Sequence, residues 1–373
     1  MTQPVLGILT LYLNGKRTLE ERAVYQRMIT AGRALGLDVY VFTPQDVHDA
    51  SGRIHALQYD PRSGRWSRSW RPFPMLIYDR CRIQRSQRFE QLKRFRAKYS
   101  HLQFLNRPMR NKWTVYQTLS KEKRFRPHLP HTRIVERTAD IAEAARTYNL
   151  LYLKPINGTG GRGIARLEQR SGSTWLLQGR DHARRIIRPE RVSAERMLSR
   201  LARWDLKGQR YIIQQGIELT LPSGRVHDYR MLVQKNGEGR WQLTGCAARI
   251  GAKGSVTSNL HGGGRAVQMR TLLKSWLDKE GSTAQVEERA AELGVQIAEH
   301  LEASYEALCE LALDLAIDRN GHIWLLEVNP KPAREVFARA GEQATYRNAL
   351  IRPLEYALWL YRQKDAKDAK ADK

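Results

Sequence analysis

The sequence predicts an α/β protein that becomes α+β in its C-terminal part, and three observations carry that expectation. Short apolar runs alternate with segments of helical periodicity through the first hundred or so residues. The glycine-rich stretch Asn157–Gly163 lies between two strand-like segments rather than ahead of a helix. Finally, Leu313–Asn329, LDLAIDRNGHIWLLEVN, reads as a β-hairpin with its carboxylates gathered on one face. A chain of 373 residues is long enough for two or three domains, each with its own core.

Val5–Leu13 is an apolar run without a basic leader or a small-residue cleavage site, so it reads as a first strand rather than a signal peptide. Thr18–Leu35 has helical periodicity, with Thr18 as N-cap and Gly36 as the stop. Asp38–Phe42 is a second strand ending at Pro44. His55–Trp70 is a polar hairpin turning at Asp60-Pro61 and Ser63-Gly64, Met75–Asp79 a short strand, and Ser86–Lys98 a basic helix. These residues form a Rossmann-like module, 1–106, with no glycine-rich phosphate loop after its first strand, so its expected role is architectural or to wall a cleft. Asn106-Arg107-Pro108 marks the boundary. Beyond it Arg110–Leu119 and Thr138–Tyr148 read as helices and Leu150–Lys154 as a strand, and the basic stretch Arg180–Trp204 holds an amphipathic helix from Ser193. Strands follow at Tyr211–Gln215, Asp228–Lys235 and Trp241–Ile250, then helices at Val267–Leu277, Ala284–Leu301 and Pro353–Tyr361. The tail Lys364–Lys373 alternates in charge and is expected to fray.

In the late hairpin, Asn320-Gly321 predicts a two-residue type I′ turn. That centre pairs Arg319 with His322, Ile317 with Trp324 and Asp314 with Glu327. Leu313, Leu315, Ile317, Trp324, Leu326 and Val328 then share an apolar side, and Asp314, Asp318, Glu327 and Asn329 the other. Opposed carboxylates destabilise a strand pair unless something positive sits between them. Two carboxylates and an amide oxygen suit Mg²⁺, which keeps waters and bridges to phosphates. Acids that are solvated or paired with arginines satisfy the same pattern equally well.

The 64 Lys+Arg against 38 Asp+Glu give a net charge of +26, and the pI is near 10.3. Such a field favours anionic partners without choosing among nucleic acid, nucleotides, anionic polymers and membrane surfaces. Cys81, Cys246 and Cys309 are too few and scattered for a disulfide framework or zinc site, so reduced thiols in a cytoplasmic protein are expected. No run is long enough for a transmembrane helix. The basic runs Arg80–Lys98 and Arg180–Arg203 lack a nucleic-acid recognition motif or interleaved aromatics, which ranks nucleic-acid binding last.

Gly158, Gly160 and Gly163 satisfy G-x-G-x-x-G, but Ile164–Glu168 alternates like a strand, so neither a dinucleotide fingerprint nor a Walker A loop fits. A glycine turn between strands suggests a lid whose amides close on phosphates, with Arg162 at its tip, or else a mobile surface hairpin. Lys154 ends the strand LLYLKP three residues before it, and Lys112 begins a helix near the domain boundary. A protein-kinase reading fails for want of H-R-D and D-F-G motifs.

In order stand Asn111-Lys112, LKP with the glycine lid, YIIQQGI (Tyr211–Ile217), DYRMLV (Asp228–Val233), ARIG…TSNLHGGG (Arg249, Asn259–Gly264) and D…EVN (Asp314, Glu327, Asn329). This series resembles the ATP-grasp superfamily and, within it, the YheC/YheD type named for endospore-coat association. The R…SNLHGGG segment also looks like ligases that add glutamate to protein or peptide tails. The resemblance runs from about Asn106 to Tyr361. It implies a pre-ATP-grasp domain (1–106), a two-lobed ATP-grasp domain (107–363; lid lobe about 120–215, C-terminal lobe about 216–363) and a flexible tail (364–373).

Carried over by position, Lys112 and Lys154 would contact the phosphates of ATP, with Gly158, Gly160, Gly161, Arg162 and Gly163 closing over them. Gln214, Gln215 and Ile217 would line the adenine pocket and Asp228 approach the ribose. Asp314, Glu327 and Asn329 would hold Mg²⁺, with Mn²⁺ as the alternative. Arg230, Arg249 and Asn259 would face the γ-phosphate and the acyl intermediate. Two departures stand out: Pro330-Lys331-Pro332-Ala333 follows Asn329 without the glycine many relatives have, and Gly216 replaces a bulkier hinge residue, implying a looser adenine fit. The implied activity is ATP-dependent ligation of a carboxylate to an amine or thiol through an acyl phosphate, with an anionic peptide or polymer among the candidate substrates. The alternatives are an ATP-grasp kinase and a non-catalytic, coat-associated polyanion binder on the same scaffold.

Overall fold

A computed structural model describes residues 3–13, 15, 17–81, 87–109, 111–158, 162–183, 185–204, 206–260, 263–277 and 282–371, and three sheets stand among them. The first is built from β1 (Val5–Leu9), β2 (Asp38–Phe42), β3 (Val47–His48), β4 (Arg53–Asp60), β5 (Arg65–Pro72), β6 (Leu76–Asp79) and β7 (Gln103–Phe104), with α1 (Arg22–Ala34) and α2 (Gln87–Lys98) between them. Its order is β3-β4-β2-β1-β6-β7, with β5 paired to β4. β2, β1, β6 and β7 run parallel, and the β4–β5 hairpin joins antiparallel. The helix expected from Thr18 starts at Arg22. Thr18 is taken up elsewhere: its carbonyl accepts from the Leu13 amide at 2.8 Å, in an excursion held by a Tyr12–Leu19 bridge. The same excursion ends β1 at Leu9, short of the expected Leu13.

The second sheet is antiparallel, in the order β12-β11-β10-β9-β13-β8. It follows α3 (Lys112–Ser120) and comprises β8 (Thr132–Val135), β9 (Leu150–Pro155), β10 (Ile164–Ser171), β11 (Thr174–Arg180), β12 (Ile186–Ser193) and β13 (Tyr211–Gln215). α4 (Thr138–Thr147) and α5 (Ala194–Ala202) cover one face, and α6 (Leu206–Gln209) leads into β13. α3 starts two residues later than expected because Asn111 caps it, its side chain accepting from the Thr114 amide at 3.0 Å.

The third sheet, order β16-β15-β14-β17-β18, contains β14 (His227–Lys235), β15 (Trp241–Ile250), β16 (Arg265–Gln268), β17 (Glu310–Ile317) and β18 (Ile323–Asn329). Val267 and Gln268 belong to β16, so the helix expected from Val267, α7 (Met269–Trp276), begins later. α8 (Thr283–Tyr305) lays Val286, Ala290, Leu293, Ile297 and Leu301 against Met231, Val233, Leu313 and Leu315. After α9 (Glu335–Arg339), α10 (Gln343–Ala371) is longer than the expected Pro353–Tyr361. It continues through most of the tail expected to fray, since Ala- and Lys-rich sequence propagates a helix already nucleated by packing.

Charged side chains buried between the first and third sheets fix the segment after β18. Arg80 and Arg334, both almost wholly buried, grip Glu310, and Arg80 Nη1 lies 2.8 Å from Glu310 Oε1. Arg80 Nη2 also donates to Pro332 O at 2.9 Å, and Asn106 Nδ2 to Pro330 O at 2.7 Å. Lys331 pairs with Asp79 at 2.5 Å.

Candidate functional site

The late hairpin places its acids as expected, but by a different route. Gly321 alone of Asn320-Gly321 has positive φ (79°), and its amide donates to Asp318 O, making a longer turn than type I′. Asp318 stabilises that turn by accepting from the amides of Asn320 and His322, both at 3.0 Å. Ile317 therefore pairs with Ile323 rather than Trp324. A bulge between Asp314 and Leu315 then restores Asp314 opposite Glu327. Ile323 and Leu325 join the core in place of Trp324 and Leu326. Trp324 donates to Asp318 Oδ2 at 3.3 Å, and Leu326 lines the cleft above.

That cleft lies between the second and third sheets. Lys112, Lys154, Gly158, Arg162, Gln214, Gln215, Ile217, Asp228, Arg230, Arg249, Asn259, Asp314, Glu327 and Asn329 all line it. Gly163 does not; it is buried at the base of the loop with φ +63°, where a Cβ would stand 2.7 Å from His182 Cε1. Gly160 and Gly161 lie outside the described residues, as do His261 and Gly262 of the SNLHGGG motif. Sequence reasoning did not single out Tyr152, Leu219, Val226 and Val256 and put Leu326 on the core side; together they give the cleft an apolar lining suited to a flat ring. Gly216 does not loosen it: its missing Cβ would stand 2.3 Å from Leu150 Cγ, so Leu150 already fills that space.

Across the same cleft the charges interlock. Lys112 Nζ donates to Gly158 O at 2.6 Å and stands 3.5 Å from Glu327 Oε1, tying the loop to the hairpin. Lys154 Nζ donates to Gln214 Oε1 at 2.7 Å, and Gln214 Nε2 to Thr132 Oγ1 at 3.0 Å. Burial, partly offset by Glu327, lowers the Lys154 ammonium to about 8. Burial likewise takes the His227 imidazole down to about 4, leaving it neutral near pH 7.

Asp314 is held from two sides. Arg230 Nη2 stands 3.1 Å and Arg249 Nη2 3.0 Å from its Oδ2. Burial pushes this carboxyl up, but Arg230 and Arg249 more than reverse the effect and hold it below the usual range. Arg249 Nε also donates to Asp228 Oδ1 at 2.7 Å. Asp228, expected on the ribose side, is thus engaged by Arg249 across β14 and β15. Of the two readings open for the hairpin acids, arginine pairing describes Asp314, while Glu327 is the more accessible, its side chain 27% exposed.

Among the described residues no cluster of three or more His, Cys, Asp or Glu is placed to hold a metal. The set Asp314, Glu327 and Asn329 still fits Mg²⁺ chemically, because that ion takes one or two protein carboxylates and completes its shell with phosphate and water.

Two antiparallel sheets closing on a cleft with paired lysines, a glycine loop and opposed carboxylates, beside a partly parallel N-terminal sheet, define a two-lobed grasping fold. Residues 101–360 match the family model described as YheC/D like ATP-grasp, and the chain belongs to that family. It is 26% identical over 363 residues to endospore coat-associated protein YheD of Bacillus subtilis (strain 168), covering 96% of this chain and 79% of that protein. Endospore coat-associated protein YheC of the same organism is 27% identical over 315 residues, covering 83% and 84%. Among solved structures, D-cycloserine synthetase DcsG is similar with a TM-score of 0.54 at 15% identity, covering 96% of this chain and 99% of that one. No helix among the described residues is long and apolar enough to cross a membrane.

Proposed function

We propose that this protein is an ATP-dependent ligase that joins a carboxylate to an amine, or to a thiol, through an acyl phosphate. The observation carrying this reading is the convergence of Lys112, Lys154, Arg230, Arg249, Asp314, Glu327 and Asn329 on one cleft that also has apolar lining. ATP would lie with its base against Tyr152, Ile217 and Leu326 near Gln214 and Gln215, its ribose toward Asp228 and its phosphates toward the lysines. The glycine loop around Gly158–Gly163 would close over it, and residues 1–106 would wall the far side. Mg²⁺ held by Asp314, Glu327 and Asn329 would neutralise charge on the phosphates.

A substrate carboxylate oxygen attacks the γ-phosphorus, the bond to the β-phosphate oxygen breaks, and ADP leaves. The acceptor nitrogen then attacks the acyl carbon, the bond to phosphate breaks, and the nitrogen gives up its proton. No side-chain nucleophile is needed, because phosphoryl transfer depends on positioning and charge neutralisation. Arg230, Arg249 and Asn259, which line the same cleft, would steady that charge. The basic character suits an anionic substrate, and the relatives' names, which speak of endospore-coat association, support a protein that joins the spore coat.

The test is ADP release with a panel of acids in the presence of hydroxylamine. Hydroxamate formation supports the acyl phosphate. ADP release with a hydroxyl compound and a stable phosphorylated product would replace the ligase with a kinase, and ATP binding without turnover would favour the binder.

A further inference from the structure

Beside the cleft lies a second chamber of about 990 Å³, to which the reading above gives no occupant. The two share a wall: Lys112, Lys154, Gly158, Arg162, Glu327 and Asn329 border both. Glu20 and His182 also border the chamber, but much of its lining is apolar: Phe89 of α2, Met109, Val115 and Tyr116 of α3, Leu129, and Val328 of β18. A chamber of this volume stands at the upper end of the range that encloses small molecules, and its lining is typical of such sites.

Resting on the ligase reading, we propose that the chamber holds an extended apolar chain belonging to the carboxylic acid, with the carboxylate head at the shared wall. The reaction selects the acid over the amine: its carboxylate must meet the γ-phosphate before any amine reacts, and the reading above sets the phosphates at this wall, beside Lys112, Lys154 and Arg162. The substrate class is therefore a monocarboxylic acid with a straight alkyl or arylalkyl tail.

The experiment uses the full chain and straight-chain acids from acetate to decanoate. Hydroxamate formation is measured with Mg-ATP, and binding of the same acids by calorimetry with Mg-ADP, which needs no turnover. kcat/KM and affinity should rise on the order of fourfold per added methylene until the chamber is filled. Val115→Phe should shorten the preferred chain while leaving acetate turnover unchanged. Tyr116→Ala, which enlarges the chamber instead of crowding it, should lengthen the preferred chain and guards against misfolding of the first variant. Binding that rises with chain length without hydroxamate sinks the ligase reading and keeps the chamber assignment. Hydroxamate from acids of every length at equal kcat/KM, or chain-length dependence among n-alkylamines only, overturns the chamber assignment.

Discussion

Lys154 offers the sharpest test of the cleft, because its charge changes within an accessible pH range. Burial lowers its ammonium to about 8 in the free protein. A triphosphate beside it favours the charged form and raises that value, so nucleotide binding takes up a proton above pH 8. The sign follows: affinity is highest where Lys154 is already charged and falls as pH rises through about 8. A group titrating at 8 is about nine-tenths protonated at pH 7 and about one-tenth at pH 9, so the dissociation constant for Mg-ADP should rise roughly tenfold over that interval. The ceiling is the full contact, about 1.5–3 kcal/mol for a charge-assisted hydrogen bond. His227, down at about 4, does not titrate in this window, and phosphate monoester groups complete their ionisation near pH 6. Calorimetric titrations from pH 7 to 9 on the wild type and Lys154→Met measure the effect. The variant should bind about tenfold or more weakly at pH 7 and show a flat profile. A wild-type profile as flat as the variant's would refute the placement of Lys154 against the phosphates.

The two acids of the hairpin should separate by stability. Glu327→Ala, whose carboxylate has one cation at 3.5 Å, should lower turnover about a hundredfold or more while keeping its melting temperature. Asp314→Asn should also lose about 3–5 kcal/mol in urea unfolding, since Arg230 is left without its carboxylate partner and Arg249 keeps only Asp228. Because the folded Asp314 carboxyl is held below its unfolded value, its stabilisation is present above about pH 4 and lost as pH falls through the carboxylate range. Unfolding free energy between pH 5 and 2 should therefore fall more steeply in the wild type than in Asp314→Asn. Glu310→Gln strands Arg334 in the interior and leaves Arg80 only the Glu21 carboxylate, and should cost about 3–5 kcal/mol, with limited proteolysis reporting loosening between the first and third sheets; an unchanged unfolding midpoint would show that this cluster does not hold them together.

Local pattern carried the strands well where a short apolar or alternating run has clear ends. Tyr211–Gln215 and Trp241–Ile250 fall where the sequence reading put them. In HIWLLEV, by contrast, nearly every position is apolar, so alternation could not say whether Ile323 or Trp324 faces the core. The Asn-Gly signal for a two-residue turn lost to Asp318, whose carboxylate satisfies two turn amides at once. Asp314 nevertheless meets Glu327, because the longer turn and the bulge before Leu315 displace the register in opposite directions. β12 was missed because Ile186–Ser193 carries Arg188, Pro189, Glu190 and Arg191, residues suited to an edge strand that must discourage further pairing.

The cleft's lining was legible because short motifs carry it, whereas the contacts that hold it in place join residues far apart in the chain. Arg80 sits in a basic run that reads as exposed surface, yet it is almost wholly buried against Glu310 and the carbonyl of Pro332. Pro330-Lys331-Pro332 read as a departure from the glycine that many relatives place after the position of Asn329. In the fold the same residues anchor Asn329 from behind: Asn106 takes the first carbonyl, Asp79 the lysine and Arg80 the last carbonyl. Two prolines limit the backbone freedom of that segment, and three side chains from residues 1–106 or their boundary fix its position. The N-terminal sheet thus bears on the cleft mechanically, through the segment that follows Glu327 and Asn329, and this coupling is independent of any substrate contact it makes.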